Sequence, residues 1–165
     1  MWYAILGAVL LAGDQILKYW VVTHLAVGES APFLPGFMQL TRLHNYGAAW
    51  SSLSGRTVLL VVFTAVLLAA VALLLLKKVV RHWTGITACT LILSGGIGNI
   101  IDRIVHGYVV DMFDLQLFSY PVFNLADCCV VVGAILGGIY YLFLYEKYDK
   151  KKKESGHAHD PSDPS

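Results

Sequence analysis

Charged residues are scarce in this chain of 165 residues: they make up 14 %, against 57 % for hydrophobic residues. Soluble domains have about 25 % charged and about 45–50 % apolar residues, so the composition excludes a disordered chain, a coiled coil and an ordinary soluble enzyme. The net charge of +1 is too small to indicate a nucleic acid partner. Three cysteines are too few for a disulfide framework, and we interpret the adjacent Cys128 and Cys129 as small buried hydrophobic residues.

Long apolar runs dominate the sequence instead. A transmembrane helix needs about 20 mostly apolar residues to cross about 30 Å of hydrocarbon. Such runs predict spans at about residues 2–22, 57–76, 83–103 and 127–145. The first run contains Asp14 and Lys18, which are four residues apart and therefore share a helix face on which they can form an ion pair. We therefore expect an all-α polytopic membrane protein with four transmembrane helices.

Basic residues predict which side of the membrane each segment occupies. They concentrate between the second and third spans and after the fourth, and positively charged loops stay in the cytoplasm. These residues are Lys77, Lys78, Arg81, Lys147 and residues 150–153. Both termini are then cytoplasmic, and the loops at about residues 23–56 and 104–126 lie outside. The first run has no basic segment before it, so we expect a retained helix and not a cleaved signal peptide.

The loops and the tail have compositions of their own. Pro32, Pro35 and Gly36 indicate turns in the first outer loop, and residues 37–43 are expected to form a short strand pair on the membrane surface. We expect residues 1–148 to form one membrane-embedded domain and residues 149–165 to form a disordered cytoplasmic tail. The tail is rich in lysine, for which attraction to anionic lipid headgroups is the simplest interpretation.

Polar residues gather near the predicted outer interface. Asn99 and Arg103 are four apart on the third span, and Asn124 and Asp127 are three apart at the start of the fourth. The cluster consists of Asn45, Asn99, Asp102, Arg103, Asp111, Asp114, Asn124 and Asp127. Structural roles account for some of these residues, since Asp127 is placed to cap the fourth helix and Asp102 to pair with an arginine or lysine. Polar residues at the membrane are nevertheless functional candidates.

The kind of chemistry follows from the residue types present. The sequence has no HExxH motif, no phosphate-binding loop and no Ser-His-Asp arrangement. Two carboxylates that lie close together cannot both ionise, so one keeps a proton. The ionised member can activate a water molecule while the protonated member polarises a carbonyl, which requires no metal and no cofactor. Spacing alone does not say which two of the four outer aspartates form such a pair.

Five short motifs, taken in order, resemble those of the bacterial lipoprotein signal peptidases, the type II signal peptidase family. Together they cover about residues 5–145, and their order on a four-span chain makes the resemblance specific. The motifs are Asp14-Gln15 with Lys18, Asn45-x-Gly47-Ala48-Ala49, Gly98-Asn99-x-x-Asp102-Arg103, Gly107-x-Val109-Val110-Asp111 and Phe123-Asn124-x-Ala126-Asp127.

This resemblance implies an aspartic endopeptidase of the bacterial inner membrane with its site near the outer face. Such an enzyme removes the signal peptide from a diacylglyceryl-modified prolipoprotein and cleaves just before the lipidated cysteine. The resemblance assigns the catalytic dyad to Asp111 and Asp127. It assigns substrate-binding or dyad-orienting roles to Asn45, Asn99, Asp102, Arg103 and Asn124, and a small β cradle to about residues 28–55. We expect Asp14 and Lys18 to be a structural pair, Asp114 to be a surface acid, and the protein to be a monomer among membrane lipids.

Two other functions use similar residues. Presenilin-type and prepilin-type peptidases need Gly-x-Gly-Asp, whereas Gly96-Ile97-Gly98 is followed here by Asn99. A small transporter or proton-relay protein would place acids along a path through the bilayer, and only Asp14 lies at mid-span. The peptidase is therefore the favoured hypothesis, with the transporter as the alternative.

Overall fold

The computed structural model of the protein describes residues 1–47 and 55–150, so Ala48, Ala49 and residues 151–165 of the tail predicted at 149–165 lie outside these ranges. Within these described ranges, four helices are long and apolar enough to cross a membrane. They are α1 (Trp2–His24), α2 (Thr57–Leu76), α3 (Trp83–His106) and α4 (Leu125–Ile139), the last continued by π-helical turns at Tyr140–Leu144 and Glu146–Lys150. With a small sheet at one end, this confirms the predicted fold class, an all-α polytopic protein with a β cradle.

Helix α3 is the centre of the bundle. It packs against each of the other three helices. Half of the residues in its apolar, membrane-spanning stretch are buried inside the protein, compared with 6 % in α2. Glycines allow this close packing, because a Cβ atom on Gly95 would collide with the carbonyl oxygen of Ala126 on α4. A Cβ atom on Gly96 would lie 2.6 Å from the Leu68 side chain on α2. The outer surfaces of α2 and α4 are left apolar and exposed, as a lipid environment requires.

A three-stranded antiparallel sheet lies at the C-terminal end of α3. Its strands are β1 (Ser30–Leu34), β2 (Met38–Asn45) and β3 (Val109–Leu115), in that order. The prediction of a strand pair within residues 37–43 is wrong, because these residues form most of one strand, β2, whose hairpin partner β1 lies earlier in the chain. Strand β3 was not foreseen. Both faces of its first half are buried, with Met112 completely enclosed, so its sequence lacks the alternation of a half-exposed strand.

Two local signals position β3 and α4. Gly107 ends α3 in the left-handed conformation with φ of 81°, which turns the chain back toward the sheet. Asn124 caps α4: its Oδ1 accepts the backbone N–H of Asp127 at 2.8 Å, while the Asp127 carboxylate accepts the N–H of Asn124 at 3.3 Å. The sequence interpretation placed Asp127 at the cap, but it stands three residues further on as the reciprocal partner of a capping box.

Candidate active site

Asp111 projects from β3 into the space between the sheet and the helices. It is 1 % exposed. Its Oδ2 accepts a hydrogen bond of 2.9 Å from Nδ2 of Asn45 on β2, and its Oδ1 accepts one of 2.7 Å from Nδ2 of Asn124. Asp111 pairs with Leu43 in the sheet, and Asn45 lies two residues further along β2 on the same face, so it reaches Asp111 as a diagonal neighbour.

Asp127 lies in the first turn of α4 and faces the same space. Its Oδ1 accepts a hydrogen bond of 2.8 Å from Nδ2 of Asn99 on α3. Its Oδ2 accepts the backbone N–H of Asn124. The helix N-terminus adds a favourable field for a negative charge at this position. Both oxygens of this carboxylate are therefore oriented by neutral donors.

Two asparagines connect the two aspartates. Asn124 is fully buried and donates from the same Nδ2 to Asp111 and, at 3.2 Å, to Oδ1 of Asn99. Oδ1 of Asn99 also accepts from Nζ of Lys18 at 3.1 Å. Because both donors point at that oxygen, the amide nitrogen of Asn99 must face Asp127. The protein thereby fixes which way this amide is turned.

A second pair of acids lies deeper, between α1 and α3. Lys18 forms ion pairs with Asp14 at 2.8 Å and with Asp102 at 2.9 Å, and all three side chains are almost fully buried. Oδ1 of Asp14 accepts the N–H of Ala126 at 2.9 Å, and Oδ2 of Asp102, which pairs with Lys18, also accepts the N–H of Val110 at 3.0 Å. This cluster ties the beginnings of α4 and β3 to α1 and α3, just behind the residues that face the cavity.

A cavity of about 650 Å³ lies in front of Asp111 and Asp127. Asn45, Asn99 and Arg103 line it together with both aspartates, while α2 and α4 contribute apolar side chains such as Leu67 and Val131. The Arg103 guanidinium donates to the carbonyl oxygens of Gly47 at 2.8 Å and Asn99 at 3.3 Å. The cavity thus has one polar wall with acids, amides and a cation, and apolar walls elsewhere.

Burial changes the acidity of Asp111. Desolvation and, second, the negative charge of Asp127 raise the pKa of Asp111 from its ordinary value near 3.8 to about 7. The hydrogen bonds from Asn45 and Asn124 act in the opposite direction, because they stabilise the ionised form. Asp111 therefore keeps a proton at pH values where an exposed aspartate is ionised.

The structure brings together the residues that the sequence analysis grouped. Asn45, Asn99, Arg103, Asp111 and Asp127 line one cavity, and Asn124 and Asp102 lie behind it in contact with residues of the same network. Asp114 is elsewhere on the sheet, where it accepts hydrogen bonds from Gln39 at 2.7 Å and Thr41 at 3.2 Å.

One participant was quoted in a motif but not proposed for the site. Nε2 of Gln15 lies within 3.3 Å of Asp14, Asp102 and the carbonyl oxygen of Gly98. A glutamine beside a buried aspartate on an otherwise apolar helix was the available signal for this residue.

Comparisons with known proteins agree on one family. The family model for Signal peptidase (SPase) II matches residues 6–143. The lipoprotein signal peptidase of Enterococcus faecalis is 40 % identical over 151 residues, covering 92 % of this chain and 93 % of that protein. That of Lactococcus lactis subsp. lactis is 38 % identical over 143 residues, covering 87 % and 91 %. A bacterial membrane enzyme structure obtained by the in meso method at 2.3 Å resolution superposes with a TM-score of 0.78 at 28 % identity, covering 99 % of this chain and 94 % of that one.

Proposed function

The chain belongs to the signal peptidase II family and removes signal peptides from prolipoproteins, and we propose that Asp111 and Asp127 are the catalytic dyad of this aspartic endopeptidase. One observation supports this most strongly. The two carboxylates line the same cavity, and each is held by amide and backbone N–H groups that leave it free to exchange a proton.

The two aspartates take different parts in the proposed reaction. Asp127 is the base that accepts a proton from water as the water oxygen attacks the carbonyl carbon of the scissile bond. Asp111, protonated because its pKa is raised to about 7, donates a hydrogen bond to the carbonyl oxygen. The C–N bond then breaks, and the proton held by Asp127 passes to the leaving amine. This division is that of two neighbouring carboxylates that share one proton.

The other polar residues orient this pair. Asn99 and Asn124 hold the carboxylates at fixed angles, which places the water and the peptide bond within reach of both. Arg103, on the cavity wall, stabilises negative charge that develops on the substrate oxygen. Asn45 holds Asp111 from the sheet side. Asp14, Lys18 and Asp102 act from behind as a structural cluster.

The apolar walls of the cavity suit a lipidated substrate. Leu67 on α2 and Val131 on α4 line the cavity and are also exposed on the apolar outer surface. We infer that a diacylglyceryl group on the substrate cysteine stays against these walls while the bond just before that cysteine reaches the dyad. Basic residues at the other end of the bundle support cytoplasmic termini and a site at the outer face of the inner membrane. We propose that residues 1–148 form this unit as a monomer.

The test is cleavage of a diacylglyceryl-modified prolipoprotein by the purified protein in detergent, with a chelator present. Wild type, Asp111→Asn and Asp127→Asn are compared with Asp114→Asn, an aspartate of the same sheet that does not line the cavity. We expect wild type and Asp114→Asn to cleave the lipidated precursor and leave unmodified precursor intact. We expect a loss of at least about 10³-fold in both dyad variants, since each removes a group used in every turnover.

Three results would overturn the assignment. If Asp111→Asn stays active, the dyad includes a different acid, with Asp102 as the next candidate. If the chelator stops cleavage, the chemistry depends on a metal. If folded wild type cleaves neither precursor, the transporter or proton-relay alternative gains support.

A further inference from the structure

A second cavity of about 400 Å³ lies toward the opposite end of the bundle from the dyad. Helices α1 and α2 both pack on α3, and the cavity lies between them. Small residues on α1 create the space: Ala4, Gly7 and Ala8 face Leu75 on α2 and Ile86 and Thr90 on α3. Ala4 and Ala8 are exposed, so the cavity is a groove open to the lipid.

The groove offers no free hydrogen-bonding group along its α3 wall. The hydroxyl of Thr90 donates to the carbonyl oxygen of Ile86 at 2.8 Å. The hydroxyl of Ser94 donates to the carbonyl oxygen of Leu91 at 3.0 Å. A wall whose polar groups are already paired favours a hydrocarbon occupant over a polar one. The shape and chemistry therefore suit an acyl chain.

A basic turn lies at the same end of the bundle as this groove. Lys77, Lys78 and Arg81 are exposed between α2 and α3, and Lys78 follows the groove residue Leu75 by three positions. Asp149 is the acid that hydrogen-bonds to the backbone of this turn, and its carboxylate is buried beneath it. Oδ2 of Asp149 accepts from the backbone N–H groups of Arg81 at 3.1 Å and His82 at 3.2 Å and from the hydroxyl of Tyr140. The outward face of the turn is left positive.

We propose that an anionic phospholipid binds here, with an acyl chain in the groove and its phosphate against Lys77, Lys78 and Arg81. The groove selects hydrocarbon and the turn selects negative charge, so the two features together favour an anionic lipid over a zwitterionic one. The site does not depend on the proposed dyad, because none of its residues lines the catalytic cavity. Its role is to hold α1 and α2 at a fixed separation on α3.

The experiment is native mass spectrometry of the full chain in neutral detergent, with phosphatidylglycerol or phosphatidylcholine added. We expect one phosphatidylglycerol to remain bound and to be preferred over phosphatidylcholine by about tenfold or more, because the three basic residues attract a negatively charged headgroup. Replacing all three residues of the turn by glutamine should remove this preference. Prolipoprotein cleavage by the same samples serves as the check that the variants are folded.

Two matched controls separate a built site from general attraction. Glutamines at Lys151, Lys152 and Lys153 remove the same number of charges from the tail, and we expect the preference to persist. Ala4→Phe with Ala8→Phe should displace the lipid, whereas Val9→Phe with Ile16→Phe also places two phenylalanines on α1, outside the groove lining, and should not. Equal losses in the tail and turn variants, or unchanged binding after the groove is filled, would overturn the proposal.

Discussion

Two pairs of aspartates belong to one hydrogen-bonded network and differ in what surrounds them. Asp14 and Asp102 share the buried ammonium of Lys18. Asp111 and Asp127 have only amide and backbone N–H donors within hydrogen-bonding distance, in the part of the chain that the structure describes. The first pair is in direct contact with a cation, whereas Arg103, the cation on the cavity wall of the second pair, donates its hydrogen bonds to carbonyl oxygens.

This difference separates holding from reacting. Ion pairs at 2.8–2.9 Å hold Asp14 and Asp102 against a charged partner. Neutral amides fix the direction of the Asp111 and Asp127 carboxylates. Asn99 joins the two pairs, since its Oδ1 accepts from Lys18 while its Nδ2 donates to Asp127. Lys18 therefore helps to orient Asp127 through Asn99 without contacting the Asp127 carboxylate itself.

Replacing Lys18, the cation of the Asp14 and Asp102 pair, should have the largest effect on stability. Lys18→Met leaves Asp14 and Asp102 buried without their common partner, which costs about 3–5 kcal/mol for an uncompensated buried charge. We expect a large fall in the thermal unfolding midpoint in detergent, or little folded protein. Lys77→Met, which removes an exposed lysine, should change stability by less than about 0.5 kcal/mol.

A second substitution tests the cause of that loss. Adding Asp102→Asn to Lys18→Met removes one of the two unpaired carboxylates, so part of the lost stability should return, because neighbouring groups in one network are not additive. Midpoints of Lys18→Met and Lys77→Met that agree within error would show that the ion pairs contribute nothing to the fold.

The sequence predicted the parts of this network that lie on one helix. Four-residue spacing is enough to expect the Asp14–Lys18 pair, because an α-helix places such residues on one face. The contact of Lys18 with Asp102 joins α1 to α3, and no spacing within one helix predicts it. The same holds for Asn124, whose amide reaches Asp111 only because α4 and β3 meet.

The sheet shows a second limit of local patterns. Residues 109–115 are buried on both faces at their start, so the period of two that identifies a strand is absent and β3 was missed. The grouping of Asp111 with Asp127 came from the motifs and not from spacing. The rest of the site geometry depends on glycines that allow α3 to approach its neighbours.

One of these glycines allows the charged pair to form, and it gives the next prediction. A Cβ atom on Gly98 would lie 2.7 Å from Oδ2 of Asp14, the oxygen that pairs with Lys18. Gly98→Ala must therefore displace the carboxylate, and we expect a loss of about 1–3 kcal/mol, as for other overpacked interiors. The matched control is Gly138→Ala on α4, where no atom lies within 4 Å of the added methyl group. That variant should be neutral or slightly stabilising, by up to about 1 kcal/mol.

Thermal midpoints of the two alanine variants decide the matter. If Gly98→Ala is as stable as Gly138→Ala, the carboxylate of Asp14 tolerates displacement, and the close approach of α1 to α3 is not needed for the ion pair.

The smallest expected effect tests the other pair, through the acidity of Asp111. Its folded pKa of about 7 lies above its ordinary value, so the proton is held below about pH 7 and lost above it. Cleavage should therefore fall as the pH rises through about 7. The raised pKa of Asp111 adds stability at low pH, and this contribution should be lost as the pH rises from about 3.8 to about 7. Asn45→Leu removes a hydrogen bond that favours the ionised form, so the alkaline limb of the remaining activity should move to higher pH by less than about one pH unit.

The direction of this shift tests whether the Asn45 amide stabilises the ionised form of Asp111. If Asn45 only shaped the cavity, its loss would lower the rate at every pH and leave the limb in place. Asp114→Asn serves as the control, since it removes a carboxylate of the same strand that does not line the cavity and should leave the profile unchanged. A limb that moves to lower pH in Asn45→Leu would mean that the ionised form of Asp111 is not what this amide stabilises. The acid of the dyad would then have to be sought in Asp127.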